Sequence, residues 1–478
     1  MTAALEAARV ALSGERAWLV GGATRDRELG RASSDLDVVV DVDPAQAARA
    51  IARAAGGAAC FALSQEFGSW RVVARDRSWQ VDLEPMRGGS LEGDLALRDF
   101  TVNAIAEPIQ GGEPIDPLGG LADLAARRLR MAGPHAFVED PLRVLRLVRV
   151  AVELDMVIEA ETMHRAGAQV EQLRSVSAER VFVELRRIVA SEQALRGIEL
   201  LGELGAMAVV LPELDALRGV EQNRYHHLDV YGHTIEVLAH TISLRSEQPS
   251  SALRTRVPER HREEVRALLD EPLADEMTRG EALRWGALLH DAAKPLTRAV
   301  RPQDGRVTFI GHDVRGAALA REVLERLRAS ERLRGHVAAL VRHHLRAGFL
   351  VHEPQPLARR AVYGYLAATT PVEVDVTLLS IADRLATRGD RAPEAIDAHM
   401  HVADSLLGDA LRWRAGGRPR PLVRGDELAQ ALGIATGPRV GTMLEELARA
   451  QYAGELSTRE QAIAYARSHS THGHHASE

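Results

Sequence analysis

Two aspartates one residue apart, Asp35 and Asp37, open an apolar run, DLDVVV, shortly after a paired glycine, Gly21-Gly22. Alternation along a strand turns residues i and i+2 to the same face, so both carboxylates would project side by side. Carboxylates so placed can hold a pair of Mg²⁺ ions that flank a phosphoryl centre and stabilise its attacking and leaving oxygens. Asp82, in the later run WQVDL, is the natural third ligand. Paired glycines at a strand-to-helix turn let backbone N–H groups approach a phosphate closely. An Asp-x-Asp alone is more often a turn cap beside an exposed strand residue; the Gly-Gly turn at this spacing reverses that weighting.

A second chemistry is written further along. HHLDVYGHTIEVLAH (226–240), ALLHDAAKP (287–295), GHDVRGAALA (311–320), VRHHLRAGF (341–349) and IADRLATRG (381–389) form an ordered set of histidine- and aspartate-bearing segments. Imidazole mixed with carboxylate suits Mn²⁺, Fe, Ni²⁺ or Zn²⁺ better than Mg²⁺. Water on such a metal has a lowered pKa and can attack a phosphate ester. A lone helical histidine is usually structural, but a set of this kind argues for ligands.

The elements that must position these groups differ between the two halves. AWLV (17–20) and DLDVVVDV (35–42) read as strands, and WRVVARD with WQVDL (70–83) as a hairpin closed by Arg75-Asp76-Arg77-Ser78. The strand around Leu19 ends at Gly21-Gly22, and a short helix begins with Arg25 and Asp26 and stops at Gly30. Beyond about residue 120 apolar residues recur every three or four positions, as in LRVLRLVRVAVEL (142–154) and VFVELRRIVA (181–190). The fold class is therefore α+β to about residue 125 and all-α afterwards. SEQPSSALRTRVPERHR (246–262) reads as a loop, GGRPRP (416–421) as a break, and the His-rich tail SHSTHGHHASE (468–478) as disordered.

A chain of 478 residues with 46% hydrophobic and 27% charged residues is a soluble globular protein of roughly three domains. It has no apolar stretch long enough to span a membrane and no signal peptide, so a cytoplasmic protein is expected. Cys60 stands alone, which excludes a disulfide framework and a cysteine-based zinc site. The net charge of −7 argues against a nucleic-acid partner, yet such a partner responds to local potential. Six arginines in 127–149 face only Glu139 and Asp140, and LRWRAGGRPRPLVR (411–424) holds five with no acid. Lys294 is the single lysine.

GGATRD followed by DLD resembles the first motif of class II tRNA nucleotidyltransferases and bacterial poly(A) polymerases, in the polymerase-β superfamily. LRDFTVNAIA (97–106), IDPLGGLADLAARRLR (115–130) and EDPLRVLRLVR (139–149) are similar to the next motifs, in the same order, and RGDELAQALGIATGPRVGTMLEELARAQYAGELSTREQA (424–462) to the C-terminal region. His290-Asp291, with Asp383 far downstream, resembles the HD phosphohydrolase domain. The resemblance implies a polymerase-β-like nucleotidyltransferase head (1–125), a helical neck with a base-reading helix (126–195), an HD domain (196–400), a C-terminal RNA-binding helical region (401–467) and the tail (468–478).

Carried over residue by residue, the resemblance implies that Gly22 and Arg25 contact nucleotide phosphates and that Asp35 and Asp37 hold the Mg²⁺ ions. Arg98 and Asp99 would meet the phosphate and sugar, with Asn103 nearby. Asp140 and Arg143 would read the incoming base, with Arg146 and Arg149 on the triphosphate. Asp140 and Arg143 are three apart and so on one helix face, although Asp140 before Pro141 is also an ideal helix cap. In the HD domain His233, His290, Asp291 and Asp383 would bind one metal, and His312 with His343 or His344 a second. The implied activity is extension of tRNA 3′ ends from CTP and ATP, without a membrane or protein partner. The alternatives are CC-only addition, poly(A) synthesis, or an HD hydrolase whose head only recognises RNA. Some relatives keep phosphodiesterase activity towards 2′,3′-cyclic phosphates. Two departures stand out: Leu97 replaces one of two basic residues before Asp99, and only fifteen residues separate Asp82 from Arg98. Family members adding the whole CCA usually have a longer, mobile loop there, so terminal A addition is expected to be weak.

Overall fold

The computed structural model describes residues 2–31, 35–64, 68–222, 227–245, 257–388 and 392–470. It packs as two compact units, Met1–Val210 and Leu211–Glu478.

The first unit opens with α1 (Thr2–Ala11), β1 (Ala17–Val20), α2 (Gly21–Glu28), β2 (Asp35–Val40), α3 (Pro44–Ala54), β3 (Ala59–Ser64), β4 (Ser69–Val73), β5 (Gln80–Pro85), α4 (Leu91–Ala96) and β6 (Glu107–Pro108). The strands form one sheet in the order β3-β4-β5-β2-β1-β6. Its two faces follow from alternation in β2: Leu36, Val38 and Val40 enter the core under α1 and α3, whereas Val39 packs with Leu91 and Leu95 of α4. Asp35 and Asp37 therefore share the face of Val39. β2 pairs in parallel with β5, placing Asp37 directly beside Asp82. The expected hairpin is present as β4 and β5, and α2 starts directly at Gly21 rather than at Arg25.

Next come α5 (Gly120–Ala125), β7 (Arg128–Leu129), α6 (Ala136–Glu139), α7 (Arg143–Leu154), β8 (Val157–Ile158), α8 (Ala160–Gly167), α9 (Ala178–Ala190), α10 (Ala194–Glu203) and α11 (Ala206–Val210). The two-residue strands β7 and β8 pair in parallel beyond residue 125, where only helices were expected. In α7, Arg143, Arg146, Arg149 and Glu153 alone are not fully buried, so its polar groups form a stripe on an otherwise apolar helix.

The second unit contains α12 (Pro212–Asp215), α13 (Val230–Ser243), α14 (Arg262–Leu269), α15 (Arg279–Leu289), α16 (Lys294–Thr297), α17 (His312–Arg326), α18 (Glu331–His343), α19 (Arg346–Leu350), α20 (Arg359–Thr369), α21 (Glu373–Ala386), α22 (Ala392–Gly416), α23 (Gly425–Leu432), α24 (Pro438–Tyr452) and α25 (Arg459–Ser470). Against the all-helical expectation it also has two short antiparallel pairs, β9 (Pro272–Ala274) with β10 (Met277–Thr278) and β11 (Ala299–Val300) with β12 (Val307–Thr308). α15 starts with a reciprocal cap between Thr278 and Glu281, and all of its residues except Glu281 are buried. Two expected boundaries shift. α10 and α11 belong to the first unit, and α22 runs unbroken through the 400/401 boundary, because Val402, Leu406 and Trp413 share one core with α15 and α21. The break expected at 416–421 lies between α22 and α23. Residues 246–256 of the expected loop and 471–478 of the expected tail lie outside the described residues, while 468–470 finish α25. Among the described residues no helix is long and apolar enough to cross a membrane.

Candidate nucleotidyltransfer and metal sites

β1 meets α2 at Gly21, whose φ of +69° favours glycine; a Cβ there would lie 2.8 Å from Asp37 Oδ2. The sequence reading singled out Gly22, yet Gly21 is the position that brings backbone against the carboxylates. Burial pushes the Asp37 carboxyl up to about 6, and Asp82, Glu84 and Asp35 add to this against the opposing Arg98. A cluster of carboxylates repelling one another on an open sheet face fits a divalent cation. Asp82 already has one partner: Arg71 on β4 donates to both its oxygens at 2.7 Å. Arg98 donates to the fully buried Asp94 at 3.1 Å, and Asp94 also accepts from the Arg87 backbone N–H.

A chain of hydrogen bonds links the other expected nucleotide ligands. Arg25 Nη1 donates to Asn103 Oδ1 (2.7 Å), Asn103 Nδ2 to Asp99 Oδ1 (2.9 Å), and Arg146 Nη1 to Asp99 Oδ2 (3.4 Å). Burial alone would raise the Asp99 carboxyl, but Arg146 and Asn103 hold it below its usual range. Arg146 and Arg149 both donate to the buried Glu184 of α9, a residue the sequence reading passed over as one more helical glutamate.

The two residues expected to read the base, Asp140 and Arg143, do not share one helix face. Asp140 lies in extended conformation between α6 and α7, as the residue before Pro141 must avoid the helical region. Its Oδ1 accepts from the Leu142 N–H at 3.2 Å and its Oδ2 from Arg180 at 2.7 Å. Arg143 opens α7 and donates to Leu97 O (2.8 Å), Ala136 O (3.0 Å) and Glu139 (3.3 Å). The two arginine-rich windows are largely paired with acids outside them. Arg128 and Arg130 bind Asp123, Arg127 binds Asp155, Arg414 binds Glu271, and Arg418 binds Glu445. Neither is the unopposed basic track that the local counts suggested.

In the second unit, helix ends converge on Asp291. His233 lies in the first turn of α13, His290-Asp291 just past α15, His312 at the start of α17, His344 just past α18, and Asp383 near the end of α21. Asp291 Oδ2 faces His290 Nε2 (3.2 Å) and His233 Nε2 (3.7 Å), and Asp291 Oδ1 faces His312 Nε2 (3.4 Å) and His344 Nε2 (4.0 Å). Asp383 Oδ1 is 3.1 Å from His233 Nε2. The ligand atoms thus form two groups that share Asp291. His290, His312 and His344 each direct Nδ1 at a backbone carbonyl, of Ala287, Phe309 and Val341, at 2.7–2.8 Å. That places a proton on Nδ1 and aims the Nε2 of all three rings at the Asp291 carboxylate. Burial pushes His344 down to about 4, so it stands neutral. Against burial, His290 and Lys294 hold the Asp291 carboxyl far below its usual range, and His233 does the same for Asp383.

His343 is a correction to the expected set. Successive helical residues point about 100° apart, so when His344 faces Asp291 its neighbour turns aside, and His343 Nδ1 accepts from Arg346 Nε at 2.9 Å. Lys294 stands out in the sequence only as the single lysine, yet its Nζ is 2.6 Å from Asp291 Oδ2 and donates to Gln222. Its i+3 spacing from Asp291 on HDAAK was the available signal. A cavity of about 700 Å³ opens on these groups, with Arg301, Arg306, Arg384 and Phe349 on its walls. Candidate metal ligands, cations and an apolar wall suit a phosphate ester carrying an organic group.

Residues 17–130 match the family described as poly A polymerase head domain, 155–218 the probable RNA and SrmB-binding site of polymerase A, and 230–388 the HD domain. The chain is 37% identical over 94% of its own length and 94% of the relative's to the A-adding tRNA nucleotidyltransferase of Deinococcus radiodurans. It is 34% identical to the CC-adding tRNA nucleotidyltransferase of Thermus thermophilus, over 94% and 92%. The fold is similar to the Thermotoga maritima CCA-adding enzyme complexed with tRNA, with a TM-score of 0.62, 18% identity and coverage of 97% and 94%.

Proposed function

Because the chain belongs to the tRNA nucleotidyltransferase family, we propose that it adds CMP residues from CTP to the 3′ end of tRNA in the cytoplasm, with Mg²⁺ as its divalent ion. The observation that carries this reading is the shared sheet face of Asp35, Asp37 and Asp82 above the Gly21 turn. Those three carboxylates would hold the ions, and the chemistry supplied there would be Lewis acidity at the 3′-hydroxyl and at the departing pyrophosphate. Arg98, fixed by Asp94, meets the phosphates; Asp99, fixed by Arg146 and Asn103, meets the sugar; Arg25 and the Gly22 backbone line the phosphate side, with Arg146 and Arg149 on the triphosphate. Asp140 and Arg143 read the base. Arg143 spends three of its five N–H donors on protein acceptors and its Nε is buried, so one Nη2 hydrogen remains for a base.

Restriction to C is supported by the segment after Asp82. It is packed at both ends: Met86 N–H donates to Val40 O, Ser90 caps Gly93, and a Cβ on Gly88 would lie 2.7 Å from the Gly93 carbonyl carbon. A loop held this closely has little freedom for the switch from C to A addition. Incubation with tRNA lacking its 3′ CCA, one labelled nucleotide at a time, followed by end sequencing, should show two C residues added and a slow or absent final A. A second reading, A addition, is favoured by the 37% identity to an A-adding relative, and efficient A transfer to tRNA ending in CC would establish it instead. In the second unit the groups around Asp291 would hold transition metals and hydrolyse phosphate esters such as 2′,3′-cyclic phosphates.

The raised Asp37 gives a pH test of the ion site. Mg²⁺ should raise the melting temperature near neutral pH, and this gain should fade as pH falls through about 6, where a proton reclaims the Asp37 oxygens. In Asp37→Asn the pH-dependent part of the gain should vanish. A gain of equal size well below and well above that pH would remove Asp37 from the ligand set.

A further inference from the structure

Ser380 and Asp383 stand one turn apart on α21, hence on one face, and both line the cavity of about 700 Å³ that opens on Asp291. Threonines inside the helices of this unit bond back to the carbonyl four residues earlier: Thr234 to Val230, Thr369 to Tyr365, Thr377 to Glu373 and Thr387 to Asp383. Ser380 differs, because its Oγ bonds Nε2 of His399 on α22, at 3.0 Å. The two residues are only 2% and 4% exposed, and His399 borders the same cavity. Neither belongs to the two groups of ligand atoms that share Asp291. Burial pushes His399 down to about 4, so its ring stands neutral. Burying a hydroxyl and an imidazole costs free energy that one mutual hydrogen bond barely offsets. The pair is therefore poorly explained as packing, and it faces the space where an ester would sit.

Opening a ribose cyclic phosphate breaks a P–O bond to a ribose oxygen. The oxygen of water joins phosphorus and gives up a proton to solvent, while the departing ribose oxygen, too basic to leave as an anion, must gain one. A serine hydroxyl backed by a neutral imidazole can deliver it. Ser380 passes its proton to the departing oxygen, His399 Nε2 restores that proton to Oγ, and His399 Nδ1 recovers one from water in the cavity. We propose that Ser380 is the proton donor to the leaving oxygen in the site around Asp291, and that His399 is the positioning residue that aims and reprotonates it. The substrates so favoured are esters of alcohols that leave poorly, such as ribose. The proposal rests on the reading of this site as a phosphate-ester hydrolase.

The test compares two esters in the presence of Mn²⁺. Cytidine 2′,3′-cyclic phosphate needs a proton on its leaving oxygen, whereas bis(p-nitrophenyl) phosphate releases p-nitrophenolate, a stable anion that leaves without one. Ser380→Ala should lower kcat for the cyclic ester about a hundredfold and change kcat for the p-nitrophenyl ester by less than about threefold. His399→Gln should show the same selectivity with a smaller loss. Mn²⁺ should raise the melting temperature of the wild type and of both variants equally, since no ligand is altered. An equal loss on both esters, as from a nucleophile or a misplaced ligand, overturns the proposal. So does a smaller Mn²⁺ gain in Ser380→Ala, or full activity of that variant on the cyclic ester. A wild type that cleaves neither ester overturns the reading of the site as a hydrolase, and the proposal with it.

Discussion

Asp37→Ala should abolish nucleotide addition, by on the order of a thousandfold or more, while leaving the fold intact. Asp37 projects from β2 on the face opposite Leu36, Val38 and Val40, so its loss opens no hole in the core beneath α1 and α3. The sign of its pKa shift sharpens the expectation. Burial and the neighbouring carboxylates raise Asp37 to about 6 from an unfolded value near 4. Between those values the folded protein binds more protons than the unfolded chain, so stability falls as pH rises, and above the folded value the charge is a net burden. Without divalent ions near neutral pH, Asp37→Ala should therefore melt at or above the wild-type temperature. Asp35→Ala should lose addition too. Near-normal incorporation by Asp37→Ala at ordinary Mg²⁺, or a collapse of its melting temperature, would refute the assigned role.

That both aspartates share a face was legible because strand alternation is a local rule, and the neighbouring Asp82 followed once β2 and β5 paired in register. The histidine set was legible for a different reason: a helical core rarely buries so many imidazoles and carboxylates on five successive segments unless they share a ligand. What stayed hidden depends on partners distant in sequence. The arginines of 127–149 look like a field until Asp155 and Glu184 come to meet them. His343 and His344 are equivalent in sequence, and only the packing of α18 against its neighbours selects His344. Asp140 and Arg143 have helical spacing, but Pro141 delays the helix to Arg143 and gives Asp140 a bend of its own. Arg180 and Glu184 look like ordinary solvated charges on α9, since a helical period shows which face a residue occupies and not what that face touches.

Asp291→Ala should remove phosphodiesterase activity altogether and leave nucleotide addition largely as it is. Asp291 is shared by both groups of ligand atoms, so no other single residue touches as much of the site. The addition groups lie in Met1–Val210 and Asp291 lies in the other unit, so the two activities should part cleanly. The substitution has a cost to folding, because Lys294 is buried and has its Nζ 2.6 Å from Asp291 Oδ2. Removing one partner of a buried pair costs about 3–5 kcal/mol. Asp291→Asn keeps an acceptor for Lys294 and should melt closer to wild type while remaining inactive towards cyclic phosphates. The pH dependence runs opposite to that of Asp37. The Asp291 carboxyl is depressed in the folded state, so its contribution is present above the unfolded value near 4 and is lost as pH falls through the folded value. Both variants should accordingly lose their stability deficit in strong acid. Loss of both activities in Asp291→Asn, with its melting temperature preserved, would mean that one metal centre serves both reactions, and the two-site reading would fall.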